Sequence, residues 1–423
     1  MSTSSTTAHL WHPFAAMGKV EGHELVLTRG EGSTVWDVDG GEYLDATAGL
    51  WFANVGHGRE EIAAAVAAQL RTLAAHHIFG DTANVPALEL AARVTGLVPI
   101  SDPAIFFCTG GGEAIDTAAK IVRRYWAITG EPERTVIVSR RHAYHGTNAY
   151  GTSLSGIPAV RDGFGTLVGG GAEVAYDDPD DLARTLDSLG GTAAAFVGEP
   201  LIGAGGAIPP PDGYWPAVEK ICRERGVLLI ADEVISGFGR LGRWFGCERY
   251  GFTPDLMTCA KGISSGYVPL GAVVVSDRVR APFWDVNAAP FLHGSTYAGH
   301  PAACVAGLTN IDILEREGLV ERAAVLEPVL AGLLEPLVAL PGVAEVRCAG
   351  LAAAVELDGD LLAAHPAAGQ ATVLAARQHG VISRLLRGVA LQISPPLVVT
   401  EGELERIVDG IGAAVSATFA SLR

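Results

Sequence analysis

Six short apolar runs, at residues 104–108, 135–138, 193–197, 227–231, 256–260 and 272–275, alternate with stretches of helical spacing, and this alternation constrains the fold more than any other feature of the chain. Runs of this length without a polar face read as strands buried on both sides. Helical patterns between them, notably 113–126 and 214–225, supply the crossovers of a mostly parallel sheet covered by helices. The fold class is therefore α/β. Upstream, residues 30–45 alternate apolar and polar about Asp39-Gly40-Gly41, as a β-hairpin does. Ile62, Val66, Leu70 and Leu73 then follow helical spacing behind Glu60 and Glu61. After Pro301 the pattern changes to longer helices, 302–315 and 320–340, followed by shorter strand candidates. A chain of 423 residues exceeds one ordinary core, so the boundary to a smaller C-terminal domain is placed near residue 310.

Open α/β sheets bind ligands at the carboxyl ends of their strands. The run 227–231 ends in Asp232 and Glu233. The run 256–260 ends in Lys261, ahead of a Gly- and Ser-rich turn at 262–266. A lysine can form a Schiff base with an aldehyde, and a buried carboxylate can keep a pyridine nitrogen protonated, which together suit pyridoxal 5'-phosphate (PLP). The same two residues also suit a plain ion pair between neighbouring strands. Gly237, Gly239 and Gly242 spell the dinucleotide fingerprint G-x-G-x-x-G just after a strand. Acidic residues separate strand from glycines, however, and Gly251, Pro254 and several aromatics break what should be the crossover helix.

Three glycines, Gly110 to Gly112, stand between the run 104–108 and the helix 113–126. Unobstructed backbone N–H groups at a helix start cradle a phosphate, although such triplets also serve as simple turns. The Lys-Ser/Thr of a P-loop is missing. Tyr144-His145-Gly146 follows the run 135–138, where an aromatic can stack on a flat ring or pack on loop neighbours. His142 and His145 lack the acidic spacing of a metal site and read as hydrogen-bonded loop residues; no metal is expected.

A formal charge of −17 argues against nucleic acid or an anionic membrane as partner. Six scattered cysteines without a C-x-x-C point to a reducing cytoplasm rather than a disulfide framework. The Ser/Thr-rich start MSTSSTTAHL resembles no secretory signal and is expected to fray. No apolar run reaches the roughly 18 residues of a membrane span.

In this order, TGGGEAIDTAAK, HAYHGT, FVGEPLIGAGG, ADEVISGFGRLGRWF, CAKGISSGYVPLGAV and HGSTYAGHP resemble the class III aminotransferases of PLP fold type I, the family of ω-amino acid:pyruvate and ornithine-type transaminases. The resemblance extends from Trp11-His12-Pro13-Phe14 to Ser394-Pro395-Pro396-Leu397. It implies a large PLP-binding domain over 51–310 and a small α+β domain over 311–423 that the N-terminal segment 1–50 joins. By the same resemblance, Lys261 holds PLP and moves the substrate proton, and Asp232 pairs with the pyridine nitrogen. Val234, two residues along an extended chain, packs on one ring face and Tyr144 on the other. Gly111 and Gly112 bind the phosphate, and Thr296 reaches the phosphate of the neighbouring subunit in a homodimer.

For the substrate, the resemblance implies Trp51 as an aromatic wall, a pocket position at Ala204, and Arg384 as a mobile partner for a carboxylate, with Glu199 pairing Arg384 when no carboxylate is bound. Trp51 also suits a core position, and Arg387 lies in the same loop as Arg384, so the switch arginine has two candidates. The implied activity is transfer of an amino group from a primary amine or amino acid to a keto acid such as pyruvate, by a ping-pong cycle. A PLP-dependent racemase, aminomutase or decarboxylase shares these motifs. An NAD(P) oxidoreductase built on Gly237 to Gly242, or a non-catalytic PLP-binding protein, is the more distant alternative.

Overall fold

A single helical turn, Met17–Val20, precedes three strands in the N-terminal part of the chain: β1 (Leu27–Glu31), β2 (Thr34–Asp37) and β3 (Glu42–Asp45). The computed structural model describes residues 9–420 and 422, so residues 1–8 of the Ser/Thr-rich start lie outside it. β2 and β3 form the hairpin expected about Asp39-Gly40-Gly41. The Asp37 carboxylate fixes that turn by accepting from the N–H groups of Asp39 and Gly41. β1 adds antiparallel to β2. It is mostly exposed on both faces, and therefore carries no alternation that the sequence could reveal.

The central sheet contains β4 (Ala104–Cys108), β5 (Val136–Arg140), β6 (Gly171–Val174), β7 (Ala193–Gly198), β8 (Leu228–Asp232), β9 (Leu256–Cys259) and β10 (Gly271–Val275). Their order is β4-β10-β9-β8-β7-β5-β6. All six apolar runs are strands, and β6, whose Gly-Ala-Glu-Val is not an apolar run, is the seventh. β6, β5, β7, β8 and β9 pair in parallel, while β10 runs antiparallel to both β9 and β4. Strands β7 to β10 are buried at every residue, which is why they read as unbroken apolar runs. The glycines from Gly237 to Gly242 lie in turns after β8, followed only by the five-residue helix Gly246–Tyr250. No crossover helix of the dinucleotide type stands there.

Helix Pro301–Arg316 runs through residue 310. The expected helix 320–340 ends earlier, at Leu334, because Pro336 lacks a backbone donor and the chain tightens into a 3₁₀ turn, Glu335–Ala339. Beyond it come β11 (Val343–Ala349), β12 (Ala352–Leu357), β13 (Val381–Ile382), β14 (Leu385–Leu386) and β15 (Ala390–Ile393). Four of them form a sheet in the order β11-β12-β15-β14. β13 instead pairs in parallel with β3, Val381 opposite Leu44, and ties the two ends of the chain together. Among the described residues no helix is long and apolar enough to cross a membrane.

Candidate active site

β8 and β9 are parallel neighbours in the middle of the sheet, so Asp232 and Lys261 leave it at the same edge. They open on one cavity of about 380 Å³ that the first turn of helix Gly111–Ile128 also lines. Thr258 of β9 is the register partner of Asp232, and its hydroxyl donates to Asp232 Oδ1 at 2.9 Å. The Val234 N–H donates to the same oxygen at 3.2 Å. His145 Nδ1 lies 2.7 Å from Oδ2. The chain thus turns directly after Asp232 instead of continuing extended, yet Val234 still lines the cavity.

Lys261 sits at the head of a 3₁₀ turn, Lys261–Ile263, with a left-handed backbone (φ 45°). Such a conformation persists in a non-glycine residue only where its surroundings enforce it. Here the buried Asn310, on helix Pro301–Arg316, donates to the carbonyls of Gly262 and Ile263 at 2.8 and 3.1 Å. Ser265 in turn donates to Asn310 Oδ1 at 2.5 Å. Burial lowers the Lys261 amine to about 8, a shift that the charges of Asp232 and Glu199 partly oppose.

Gly111 and Gly112 begin the helix, whose first backbone N–H groups have no intrahelical acceptor. Side chains have no room here. A Cβ on Gly111 would stand 2.9 Å from Val234 Cγ1, and one on Gly112 2.9 Å from Asn148 Oδ1. Gly146 adopts φ +86°, and a Cβ there would meet Gly112 Cα at 2.8 Å. A bare helix start beside a buried carboxylate, an amine of lowered pKa and the half-buried ring of Tyr144 fit the phosphate, ring nitrogen, aldehyde and flat face of PLP.

The remaining candidates are disposed differently. Glu199, following β7, is buried, and burial raises its pKa. Its two oxygens accept from the Tyr144 and Gly203 N–H groups, each at 2.9 Å, and Arg140 donates to its backbone carbonyl. The expected Glu199–Arg384 pair is therefore not made. Arg384 instead donates through Nε to Gln392 Oε1 at 2.6 Å, while its charge acts on Tyr144 and Lys261. Arg387 is engaged elsewhere: Nη1 lies 3.2 Å from His142 Nδ1 and Nη2 3.8 Å from Glu356.

Trp51 does not line the cavity. It is 1% exposed, in a cluster with Leu201, Ile235 and Leu386, and Leu50 and Phe52 face the cavity in its place. The cause is local. Gly49 and Trp51 both have φ 67°, and Asp45 accepts from the N–H groups of Thr47 and Gly49, so the chain kinks and turns the indole inward. Ala204 lies in the loop closed by the Ile202–Ile208 bridge and is also absent from the cavity lining. Thr296 is exposed and lies outside the cavity of its own chain.

His145 stands in the HAYHGT motif and is the hydrogen-bonded loop residue expected there, but its partner Asp232 was not foreseen. Thr258 and Asn310, which hold Asp232 and the Lys261 turn, and Gln392, which meets Arg384, lie outside the motifs; only Thr258 carried a usable signal, its place in the strand beside Asp232.

A family model for class III aminotransferases matches residues 16–415. The chain is 37% identical over 406 residues to the putrescine–pyruvate aminotransferase of Pseudomonas aeruginosa, covering 90% of this chain and 88% of that protein. It is 35% identical over 435 residues to the β-alanine–pyruvate aminotransferase of the same organism, covering 96% and 95%. A thermostable (S)-enantioselective omega-transaminase from Thermomicrobium roseum superimposes with a TM-score of 0.94 at 41% identity, covering 98% of both chains. The omega transaminase from Pseudomonas jessenii in complex with PMP gives 0.93 at 34%, covering 100% and 99%.

Proposed function

The chain belongs to the class III aminotransferases of PLP fold type I and is a PLP-dependent transaminase; from that premise we propose that it is ω-transaminase-like, with a primary amine or amino acid as donor and pyruvate as acceptor. One observation carries the reading of the site: Asp232 and Lys261 open from adjacent strand ends onto one cavity whose wall includes a helix start bare of side chains. The pyruvate-dependent relatives support the choice of acceptor.

PLP, when bound, supplies an aldehyde for amine exchange and a ring that withdraws electrons from the reacting carbon. Lys261 would carry its aldehyde carbon and take and return the proton at the substrate carbon. A base whose pKa is lowered to about 8 is matched to that work near neutral pH. Asp232, clamped by Thr258, Val234 and His145, would face the ring nitrogen and hold a compensating charge there. Gly111 and Gly112 would present N–H groups to the phosphate, with Val234 and Tyr144 on the ring faces and Ile235, Leu50 and Phe52 shaping the substrate side. Arg384, not Arg387, would meet the acceptor's carboxylate, because Arg387 is committed to His142 and Glu356.

The enzyme works as a homodimer in this reading. Trp284, Val286, Leu292 and Tyr297 are 67 to 95% exposed on the segment that carries Thr296, an apolar surface that a second copy would cover. Thr296 would then complete the partner's phosphate site. The proposed division keeps the large domain over 51–310 and the small domain over 311–423 joined by 1–50, with β3–β13 as the seam and helix Pro301–Arg316 as the bridge. Six free cysteines support a cytoplasmic location.

The test is product analysis. Purified enzyme supplied with putrescine, β-alanine or 1-phenylethylamine is expected to form alanine from pyruvate in step with amine consumed, and far less glutamate when 2-oxoglutarate replaces pyruvate. Amine turnover without stoichiometric loss of keto acid would favour an isomerase or decarboxylase. Thr296→Ala is expected to weaken cofactor retention without changing the oligomeric state; unchanged retention would remove Thr296 from the phosphate site.

A further inference from the structure

Arg384 is steered by a neutral amide. Its Nε–H donates to Oε1 of Gln392 in β15, a side chain with no exposed surface. The orientation of that amide is determined, because Nε2 donates to Ser394 Oγ at 2.5 Å and to the Thr47 carbonyl at 3.4 Å. A flipped amide would set donor against donor at Arg384 and oxygen against oxygen at Thr47. The backbone reinforces the contact: Gln392 N–H donates to the Arg384 carbonyl at 3.0 Å, and Ser383 Oγ donates to the Gln392 carbonyl at 2.8 Å. Thr47 begins the kinked segment that carries Leu50 and Phe52 onto the cavity wall, so one buried amide touches both the arginine and the start of that segment.

Among the described residues only the Nε edge of the guanidinium is bonded to protein, and Nη1 and Nη2 make no hydrogen bond. Those two nitrogens form the end of the fork that takes a carboxylate in a bidentate pair. An acceptor without charge at Nε aims the fork and leaves its charge uncompensated, whereas a carboxylate at that place would neutralise it.

We propose that Gln392 is a positioning residue for the keto acid: its amide aims the Arg384 fork at the acceptor's carboxylate, and the single neutral hydrogen bond releases the fork when the substrate carries no carboxylate. This rests on the reading of Arg384 as the carboxylate partner.

The experiment uses holoenzyme carrying Gln392→Met, Gln392→Glu, Arg384→Ala, or Gln392→Met with Arg384→Ala. Four quantities are read: KM and kcat for pyruvate, the inhibition constant of propionate, and the rate at which 1-phenylethylamine alone bleaches the cofactor's visible band. Gln392→Met is expected to raise the KM for pyruvate and the propionate constant about tenfold, with kcat and the amine rate within about twofold of wild type. In the Arg384→Ala background it should add nothing further. Gln392→Glu, which keeps size and acceptor but adds charge, should weaken propionate at least as much. A selective loss in Arg384→Ala without one in either Gln392 variant, or an equal loss for amine and pyruvate in the Gln392 variants, overturns the proposal. If Arg384→Ala itself shows no preference for carboxylates, the reading of Arg384 fails and the role of Gln392 fails with it.

Discussion

His145 Nδ1 and Asp232 Oδ2 lie 2.7 Å apart in a buried contact, and the other oxygen of Asp232 accepts from Thr258 and Val234. The carboxylate is thus fixed from three sides before any ligand arrives. In the proposed role of Asp232, its orientation matters as much as its charge. Asp232→Asn is expected to slow amine-driven bleaching of the bound cofactor by about 10²-fold or more, and His145→Ala by about tenfold. Stopped-flow absorbance checks both; a His145→Ala enzyme as fast as wild type would reduce that contact to packing.

The Lys261 amine, lowered by burial from an ordinary 10.5 to about 8, gives a pH dependence of definite sign. Only the neutral amine attacks an aldehyde, and a lowered pKa means that this form appears at lower pH. Capture of added PLP by apoprotein should therefore accelerate as pH rises, with a midpoint near 8, and level off above it. A rate still climbing steeply at pH 10 would contradict the burial of this amine.

Gly146 combines φ +86° with a close approach to Gly112. A methyl group there both strains the backbone and presses on the helix start. Gly146→Ala is expected to weaken PLP binding about tenfold, from roughly 1–2 kcal/mol of strain and displacement at the cradle. Equilibrium dialysis of the cofactor reads this directly, and unchanged affinity would show that the helix start has more freedom than its contacts imply.

Arg240 is buried completely and donates to the carbonyls of Leu351 and Pro395 and to Asn54 Oδ1, at 3.1, 2.5 and 2.8 Å. It joins the segment behind Phe52 to two C-terminal turns. Arg240→Met keeps the apolar stem but leaves three acceptors unpaired, and is expected to lower stability by about 3 kcal/mol. Urea unfolding of the holoenzyme checks this; a change within about 0.5 kcal/mol would place Arg240 among ordinary surface substitutions.

The central sheet was legible because β7 to β10 are buried on both faces, so nothing interrupts their apolar runs. Asp232 and Lys261 were legible because strand ends in such a sheet are where chemistry collects. β13 was not: it is two residues long, and its partner Leu44 lies at the other end of the chain. Trp51 stands in a recognisable pattern, but the kink at Gly49 decides which side of the chain meets the cavity, and that is a property of backbone torsions and of the Asp45 hydrogen bonds. Asn310 and Gln392 are single amides outside any motif, and only their three-dimensional contacts, with the Lys261 turn and with Arg384, distinguish them from packing residues.

The most direct test of the account is the visible absorbance of the purified protein reconstituted with PLP, followed through addition of 1-phenylethylamine and then pyruvate. The enzyme is expected to show a yellow band that fades with the amine and returns with pyruvate. No such band is expected in Lys261→Ala. A wild-type band that the amine cannot bleach would contradict amino-group transfer, and a protein that takes up no PLP at all would overturn the roles given to Lys261 and Asp232.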